Sequence, residues 1–339
     1  MKRFVPTRVF FEPAALEYPL GKQLEDKFKT LGITIHYTSS HNRVTGIPGK
    51  TKKEKYIQAK RSLVVGVRRT LKFSSCRPSA HYQLPLATSC PGLCEYCYLQ
   101  TTLGPQPINR VYVNLEEILA QAERYIRERA PQITKFEGAA VSDPVPVEYL
   151  TGSLKRTIEF FALQEYGRFR FVTKFADIDS LLTADHRSHT EIRFSLNTER
   201  IIKQYEKGTE SAANRIKAAQ KVAQAGYPLG LLIAPIIVYP EWMQEYARLI
   251  QDLKTALPVG LQPKFELITH RFTARAKRNI AEVFPESDLP MDEAERQFKY
   301  GQFGYGKYVY PKKTFDQIKL FLIEQISRHF PGSEVTYIV

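Results

Sequence analysis

From Leu84 onward, short apolar segments alternate with amphipathic helical segments, and this alternation limits the possible folds more than any other feature of the chain. Such alternation is typical of βα units and a parallel sheet. The strand candidates are Tyr82–Thr88, Ile133–Gly138, Arg168–Lys174, Glu191–Asn197, Pro228–Ile237 and Pro263–Thr269. Six units are too few for a closed eight-stranded barrel. The pattern therefore predicts an α/β protein with a smaller parallel sheet.

The helical segments between these strands have recognisable ends. Leu115–Arg129 has one apolar face, and Asn114 precedes it as the predicted N-cap. A second helix is predicted from Thr209 to Gly226, a third from Pro240 to about Ala256, and a closing helix over Thr314–Phe330. Residues 1–80 are predicted to form an N-terminal extension, with a helical stretch after Gly21 and a strand over Ile33–Tyr37.

Cys90, Cys94 and Cys97 form a C-x₃-C-x₂-C array in the loop after the first predicted strand. Three thiolates in so short a loop can hold one metal centre and leave a coordination position open, as catalytic sites do. Iron–sulfur clusters are bound by similarly compact runs of cysteine. The alternative is a structural zinc site with Cys76 or His81 as the fourth ligand. Outside that alternative, Cys76 is expected to be a small core residue.

The spacing of the array resembles that of the radical S-adenosylmethionine superfamily, and Tyr96 before the last cysteine agrees with it. The resemblance implies that the three cysteines hold a 4Fe-4S cluster whose fourth iron binds S-adenosyl-L-methionine. It also implies a partial barrel of six βα units. Chemistry is then expected at the carboxyl ends of the strands, where barrels place their active sites.

Polar or small residues follow four successive predicted strands, and we interpret them as contacts to that cofactor. Taken singly, such residues at strand ends are more often turn or cap residues. Ser142 and Asp143 are expected at its ammonium or ribose end, and Lys174 at its carboxylate. The remaining contacts are expected from Ser195 and Asn197 to the ribose hydroxyls, and from the backbone near Ala234 to the adenine.

Composition indicates a polyanionic partner and no membrane. The formal net charge of the 339 residues is +14, and such an excess favours nucleic acid, although generic surface basicity would give the same number. No run approaches the roughly 20 apolar residues that span a bilayer. The first residues lack the apolar core of a signal peptide, so a cytoplasmic protein is expected. Four cysteines, three of them in the array, do not indicate a disulfide framework.

The C-terminal part of the chain mixes cations with aromatic residues. Arg271, Arg275 and Arg278 have helical spacing, and a β-hairpin around Gly304 or Gly306 is predicted to carry Tyr305 near its tip, with Lys307 beside it. Aromatic side chains stack on bases, and nearby cations pair with phosphates. DNA contacts are therefore predicted for Arg271, Arg275, Tyr305 and Lys307. The alternative is a tyrosine-rich core hairpin.

Over nearly the whole chain the sequence resembles the spore photoproduct lyase family of DNA-repair enzymes. The motifs that carry the resemblance are Cys90–Gln100, the Ser142-Asp-Pro stretch and the C-terminal Tyr-Gly-Lys-Tyr region. It implies an α/β fold: a partial (β/α)6 TIM-type barrel over 81–270, with the extension over 1–80 and a C-terminal cap with hairpin and closing helix over 271–339.

The same resemblance implies a function. The expected substrate is double-stranded DNA containing the ultraviolet thymine dimer 5-thyminyl-5,6-dihydrothymine, which a 5′-deoxyadenosyl radical returns to two thymines. The expected electron donor is a flavodoxin or ferredoxin, and the expected state is a monomer in the spore core, without a membrane. Two alternatives stay open: another radical S-adenosylmethionine enzyme acting on nucleic acid, and a non-catalytic nucleic-acid-binding protein with a metal site.

One position departs from the family pattern. The family has a hydrogen-donating cysteine in the stretch after the second strand, where this chain has Ala140. Alanine has no weak S–H bond, so Tyr96 and Tyr98, which the family resemblance implies as a radical relay, would lack their partner. The sequence therefore predicts an enzyme that opens the dimer but returns the hydrogen atom poorly.

Overall fold

The computed structural model describes residues 3–39, 44–300, 304 and 306–339. Its strands, numbered in chain order, are β1 Arg8–Phe11, β2 Thr34–Tyr37, β3 Ser62–Gly66, β4 Ser75–Cys76, β5 Ala80–Gln83, β6 Ala87–Thr88, β7 Leu93–Cys94, β8 Asn109–Tyr112, β9 Thr134–Glu137, β10 Gly167–Thr173, β11 Thr190–Leu196, β12 Glu206–Lys207, β13 Leu229–Ile236, β14 Lys264–Thr269, β15 Gln297–Tyr300, β16 Gly306–Val309 and β17 Val335–Ile338.

The α-helices are α1 Pro19–Thr30, α2 Lys52–Lys60, α3 Leu99–Thr102, α4 Leu115–Arg129, α5 Val145–Thr151, α6 Ser153–Ala162, α7 Glu199–Tyr205, α8 Ala212–Gln224, α9 Trp242–Ala256, α10 Ala274–Val283 and α11 Lys312–His329. Two short 3₁₀ helices cover Pro13–Glu17 and Asp179–Leu181. Within the described ranges, no helix is both long and apolar enough to cross a membrane.

The chain divides into two compact units. Unit 1 comprises Met1–Pro91 and Leu103–Ile192, and unit 2 comprises Gly92–Thr102 and Arg193–Val339. Strand β11 begins in unit 1 and ends in unit 2.

Unit 1 contains a five-stranded sheet in the order β2-β1-β3-β8-β6. Strands β1, β2, β3 and β8 pair in parallel, and β6 is antiparallel to β8. Val9, Phe11 and Leu63 from this sheet are buried against Leu24 and Phe28 of α1. The N-terminal residues therefore form a sheet with their own apolar core, together with strands that lie beyond residue 80.

Unit 1 also holds β4, β5, β9 and β10 as successive neighbours. Strands β5, β9 and β10 are parallel, whereas β4 is antiparallel to β5. Gly138, just after β9, allows close packing here, because a Cβ on it would lie 2.8 Å from the ring of Phe169. In unit 2, β13, β14 and β17 are parallel neighbours.

Five of the six predicted strands agree with β9, β10, β11, β13 and β14 to within a residue or two at either end. The prediction of a single strand over Tyr82–Thr88 was wrong. Two strands occur there, β5 and β6, and they belong to different sheets. Pro85 lies between them and has no N–H to donate to a ladder, which explains the break.

Asn114 occupies the N-cap position of α4, as predicted. Its side chain makes no cap hydrogen bond and instead donates to the carbonyl of Arg68 at 3.0 Å. One helix prediction needs correction. Arg271 does not lie on a helix with Arg275 and Arg278. Helix α10 begins at Ala274 because Thr273 is extended and its hydroxyl accepts the N–H of Ala276 at 3.0 Å, an N-cap that starts a helix there.

Candidate functional site

The cysteine array begins in unit 1, where Cys90 is held by a buried cation. Lys60 is 1% exposed, and its Nζ donates to the carbonyl of Cys90 at 2.9 Å and to Ser89 Oγ at 3.3 Å. The N–H of Ser89 donates to the carbonyl of Val141 at 2.8 Å, and Ser89 bridges Ser142 in parallel. The first cysteine therefore follows a residue that is bonded directly to the loop after β9.

Cys94 and Cys97 belong to unit 2, where backbone pairing fixes their loop. Strand β7 pairs with β12, so that Cys94 lies opposite Glu206. The N–H of Cys97 donates to the carbonyl of Cys94 at 3.2 Å, and the amide of Gln100 donates to the carbonyls of Cys94 and Glu95 at 3.3 and 2.8 Å. These hydrogen bonds fix the backbone of the loop that contains Cys94 and Cys97.

Tyr96 is held by a buried ion pair in unit 2. Its hydroxyl donates to Glu206, whose carboxylate also accepts Arg215 at 2.5 Å, and both side chains of that ion pair are fully buried. Burial, together with the charges of Glu206 and Cys94, raises the pKa of the Tyr96 phenol well above 10. The phenol therefore remains protonated at neutral pH. Tyr98 differs, since it is 58% exposed.

The donor set fits an iron–sulfur cluster by its chemistry. No disulfide involves any of the four cysteines, which all lie in the described ranges. Cys94 is buried, whereas Cys90 and Cys97 are half-buried. Among the described residues, no three His, Cys, Asp or Glu side chains are already arranged around a single metal ion. Three cysteines in a C-x₃-C-x₂-C array supply the thiolate ligands that such clusters use.

The two other residues considered as metal ligands lie in unit 1. His81 Nδ1 accepts the N–H of Lys135 at 2.9 Å, and burial lowers the pKa of its imidazole. Cys76 lies in β4, an edge strand, and is half-buried. The expectation that Cys76 is a core residue was therefore wrong, because no strand among the described residues pairs with the outer side of β4.

Unit 1 brings Ser142, Asp143 and Lys174 together after β9 and β10. The carboxylate of Asp143 accepts Thr173 Oγ1 at 3.0 Å, the N–H of Lys174 at 2.8 Å and the N–H of Val145 at 3.3 Å. Through these hydrogen bonds, Asp143 joins the segment after β9 to the end of β10. Ser142 is buried and donates to the carbonyl of Gly138 at 3.4 Å, while Lys174 is half-buried.

Ala140 lines a cleft in unit 1 with about 390 Å³ of empty space, part of it open to solvent. The other walls come from Arg68, Ser74, Thr88 and neighbouring apolar residues. A small side chain at 140 leaves this cleft unobstructed. The cleft adjoins the start of the cysteine loop, since Thr88 lies two residues before Cys90.

Unit 2 brings Ser195, Asn197 and Ala234 together. Ser195 Oγ donates to the carbonyl of Ala234 at 3.4 Å. The amide of Asn197 donates to the carbonyl of Pro235 at 2.8 Å, and its oxygen accepts the hydroxyl of Tyr246 at 2.8 Å. Asn197 is fully buried, Ser195 is buried and Ala234 is half-buried. These contacts assign a structural role to Asn197 and leave its cofactor role a prediction.

The predicted hairpin is present in unit 2, formed by β15 and β16 in antiparallel register. Phe272 and Tyr308 exchange backbone hydrogen bonds of 3.1 and 2.8 Å, which joins the segment before α10 to β16. Burial and, secondly, the charge of Arg271 lower the pKa of the Lys307 ammonium. Arg275 is exposed on α10, whereas Tyr305 lies outside the described residues.

Exposed aromatic rings lie along the same hairpin. Phe298 and Tyr300 of β15 are 50% and 76% exposed, and their rings meet edge to face with centroids 5.3 Å apart. Gly306 makes room for Phe298, because a Cβ there would meet the ring at 2.1 Å. The register pairs Lys307 with Lys299, so Lys307 projects from the face opposite to these two rings. Exposed rings of this kind are suited to stacking on nucleic-acid bases.

Sequence reasoning missed the buried charges that hold these segments. Lys60, Glu206 and Arg215 lie in polar helices or short strands, where nothing in the local pattern separates them from solvated residues. Arg296 was missed as well. It donates to the carbonyl of His270 at 2.9 Å and lies 3.8 Å from the ring centroid of Tyr310, so it supports the segment that leads to Arg271. Only three-dimensional burial identifies such residues.

Comparison with known proteins gives full-length matches. The family model described as "Spore photoproduct lyase" matches residues 4–339. The chain is 52% identical over 339 residues to a spore photoproduct lyase from a Geobacillus species, covering 99% of both chains. It is 49% identical over 336 residues to that of Bacillus subtilis, covering 98% of both.

A solved structure of a spore photoproduct lyase mutant with bound AdoMet and dinucleoside spore photoproduct matches with a TM-score of 0.97, at 51% identity and 100% coverage of both chains. The predicted fold class, an α/β partial barrel, is confirmed by this match. That mutant has alanine in place of cysteine at position 140 and cysteine in place of serine at position 76. The present chain has Ala140 and Cys76 at the same two numbers.

Proposed function

The chain belongs to the spore photoproduct lyase family, and on that premise we propose that it reverses 5-thyminyl-5,6-dihydrothymine in DNA to two thymines. The enzyme is a radical S-adenosylmethionine lyase that repairs spore photoproduct. The observation that carries the proposal is the full-length likeness, with a TM-score of 0.97, to a lyase that binds both AdoMet and the dinucleoside lesion.

Cys90, Cys94 and Cys97 are the residues that would hold a 4Fe-4S cluster. When bound, the cluster and S-adenosyl-L-methionine supply the radical chemistry that removes a hydrogen atom from the lesion. The protein holds the ligating loop from Lys60 at Cys90 and from Gln100 at Cys94. These contacts to loop carbonyls fix the backbone that carries the thiols.

We assign the cofactor's polar groups to the strand-end residues predicted from the sequence. Ser142, Asp143 and Lys174 would serve its amino acid and ribose end, and the half-buried backbone at Ala234 would meet the adenine. Ser195 and Asn197 would complete the ribose contacts. The amide oxygen of Asn197 accepts the N–H of Thr198 and the hydroxyl of Tyr246, and one of its N–H groups donates to Pro235, so a contact to the cofactor would use its second N–H.

DNA binding is assigned to the basic and aromatic hairpin region. Arg271 and Lys307 are neighbouring cations, and Arg275 is exposed on α10. Tyr300 and Phe298 offer ring faces to an unstacked base, and Tyr305 is proposed as a further contact. A damaged step costs less to unstack than an intact one, which favours a flipped lesion.

The hydrogen that closes the reaction cannot come from residue 140, because Ala140 has no thiol. Tyr96 and Tyr98 are proposed as the relay partners. The Tyr96 hydroxyl is committed to Glu206 in a buried site, whereas Tyr98 is exposed. The impairment predicted from Ala140 alone stays a prediction, and replacing Ala140 by cysteine tests it.

We further propose a monomer in the cytoplasm of the spore core, reduced by a flavodoxin or ferredoxin. The overall basic charge supports a nucleic-acid partner.

Anaerobic reconstitution tests the function. The reduced protein is incubated with S-adenosyl-L-methionine and a lesion-containing oligonucleotide, and lesion loss and thymine formation are measured by chromatography. Lesion loss is expected, together with iron and sulfide in the protein. Cys94→Ser is the control and is expected to lose both. A colourless protein that contains only zinc and leaves the lesion intact would overturn the proposal.

A further inference from the structure

Lys60 is a buried cation whose described partners are all neutral. It is the last residue of α2 and lies in unit 1. Besides its bonds to the carbonyl of Cys90 at 2.9 Å and to Ser89 Oγ at 3.3 Å, its ammonium lies 5.6 Å from the ring centroid of Tyr56. Within the ranges that the structure describes, no carboxylate forms an ion pair with Lys60. Its partners there are a carbonyl, a hydroxyl and an aromatic ring.

The burial of this ammonium is unfavourable unless an anion joins it. An ammonium loses its hydration on burial, and neutral hydrogen-bond partners return only part of that free energy. The carboxyl end of α2 helps, since the helix dipole is negative there. Lysine is almost never fully buried unless it is paired. The place of Lys60 beside Cys90 therefore indicates an anion at Cys90, and a cluster held by thiolates is one.

Lys60 also supports a strained turn directly before the first cysteine. Ser89 has a φ of 64°, a left-handed conformation that residues other than glycine seldom adopt. Three hydrogen bonds hold it: its N–H donates to the carbonyl of Val141 at 2.8 Å, its Oγ donates to the carbonyl of Pro107 at 2.7 Å, and its Oγ accepts the ammonium of Lys60. The direction in which the chain enters Cys90 thus depends on Lys60.

We propose that Lys60 is a positioning residue for the iron–sulfur cluster, with two effects. Its hydrogen bond fixes the backbone of Cys90, and its buried charge makes the cluster easier to reduce. The inference rests on the proposed function, and it concerns a residue that none of the sequence motifs includes.

The effect on reduction follows from charge. Each of the three thiolates brings a negative charge, and reduction adds one electron from a one-electron donor without making or breaking a bond. A fixed positive charge beside one ligand lowers the free energy of the more negative state. Net charge and the groups around the ligands are among the factors that set the potentials of such clusters. Removing the charge of Lys60 should therefore lower the potential.

The test measures the reduction potential of the reconstituted cluster by a dithionite titration with redox mediators, followed by electron paramagnetic resonance. Lys60→Gln keeps an N–H donor for the carbonyl of Cys90 and removes the charge. It is expected to bind iron and sulfide like the unmodified protein, but with a ratio of reduced to oxidised cluster about tenfold lower at a given potential, a shift of about 59 mV for one electron. Lys60→Arg keeps the charge and is expected to restore the ratio.

The matched control is an exposed lysine of the same helix. Lys55 lies on α2 and is exposed, so Lys55→Gln removes the same charge into solvent, where water screens it. Its cluster is expected to have the potential of the unmodified protein. If Lys60→Gln and Lys55→Gln gave equal potentials, the proposal would be wrong. If the unmodified protein took up no iron and sulfide, the proposed function itself would fail.

A second readout uses the protein before the cluster is loaded. Methionine fills about the space of the lysine chain but carries no charge. In the cluster-free protein, Lys60→Met is not expected to lower the urea midpoint, because it removes a buried charge that has no anion there. A lower midpoint would mean that the fold itself requires the ammonium, and it would contradict the proposal.

The loaded protein should respond differently to the same substitution. Lys60→Met leaves the carbonyl of Cys90 without its donor, so the iron content after reconstitution is expected to fall severalfold below that of Lys60→Gln. Equal iron content in the two variants would show that the hydrogen bond does not position Cys90.

Discussion

Glu148 is a buried carboxyl group that supports the start of a helix. It is 4% exposed, and it accepts the N–H groups of Leu154 and Lys155 at 2.7 and 3.0 Å in the first turn of α6. Burial is the largest influence and raises its pKa from 4.5 to about 7, although both hydrogen bonds act in the opposite direction. The folded protein therefore keeps a proton on Glu148 at pH values where the unfolded chain has lost it.

The stability of the protein is expected to fall as pH rises through this interval. Between about pH 4.5 and 7 the folded state binds more protons than the unfolded state, so the free energy of unfolding decreases, by on the order of 3 kcal/mol in total. Glu148→Gln should flatten that dependence, since an amide does not titrate there. Urea unfolding at pH 5, 6, 7 and 8 measures this pH dependence. If the free energy of unfolding changed equally with pH in both proteins, its assignment to Glu148 would be wrong.

At the scale of elements, β7 and β12 join the cysteine loop to α8 through buried charges. Glu206 in β12 pairs with Arg215 in α8, and Arg215 also donates to the carbonyl of Ser195 at 2.9 Å. A buried carboxylate without its cation is strongly unfavourable. The loop that holds Cys94 thus depends on an ion pair more than a hundred residues away in sequence.

Removing only the cation should destabilise the protein severely. Arg215→Met removes the cation from the buried carboxylate of Glu206, at an expected cost of about 3–5 kcal/mol in the free energy of unfolding. The double variant Arg215→Met with Glu206→Gln should be less destabilised, because no unpaired charge remains. Denaturant unfolding measures both.

The control for this prediction is an exposed pair in the same unit. Lys203 and Glu199 of α7 lie 3.6 Å apart with side chains 74% and 47% exposed. Lys203→Met is expected to change the free energy of unfolding by less than about 1 kcal/mol. If Lys203→Met and Arg215→Met lowered the free energy of unfolding by comparable amounts, burial would not determine the cost of removing the cation.

Local sequence patterns predicted the bounds of the helices and strands well, but they did not predict which elements pack against each other. The apolar periodicity of α4 and α9 is set by residues within each helix, so their bounds could be read directly. Strand β4 has two residues, and no periodicity can indicate that it pairs with β5. Likewise, the buried state of Asn197 comes from Tyr246, which lies 49 residues further along the chain.

At the scale of the whole molecule, affinity for DNA depends on the net charge of +14 and on where the cations are concentrated. General basicity raises affinity for any DNA, because binding releases counterions. Arg271 and Lys307 are more specific candidates, since their mutual proximity contributes to the lowered pKa of Lys307. A phosphate between them would relieve that repulsion. Exposed rings such as Tyr300 contribute through stacking, which depends little on salt.

A series of salt concentrations separates the electrostatic contribution to DNA binding from the stacking contribution. Binding of a lesion-containing duplex is measured by fluorescence anisotropy at several salt concentrations. Arg271→Gln should weaken binding and reduce the slope of log K against log salt concentration by about 1, because one phosphate contact is lost. Tyr300→Ala should weaken binding at every salt concentration without changing the slope.

Arg328→Gln is the control, since Arg328 is already paired with Glu324 at 3.0 Å, and it should leave affinity nearly unchanged. If Arg271→Gln and Arg328→Gln gave the same slope, binding would follow the total charge of the chain, and the hairpin region would not be the DNA contact.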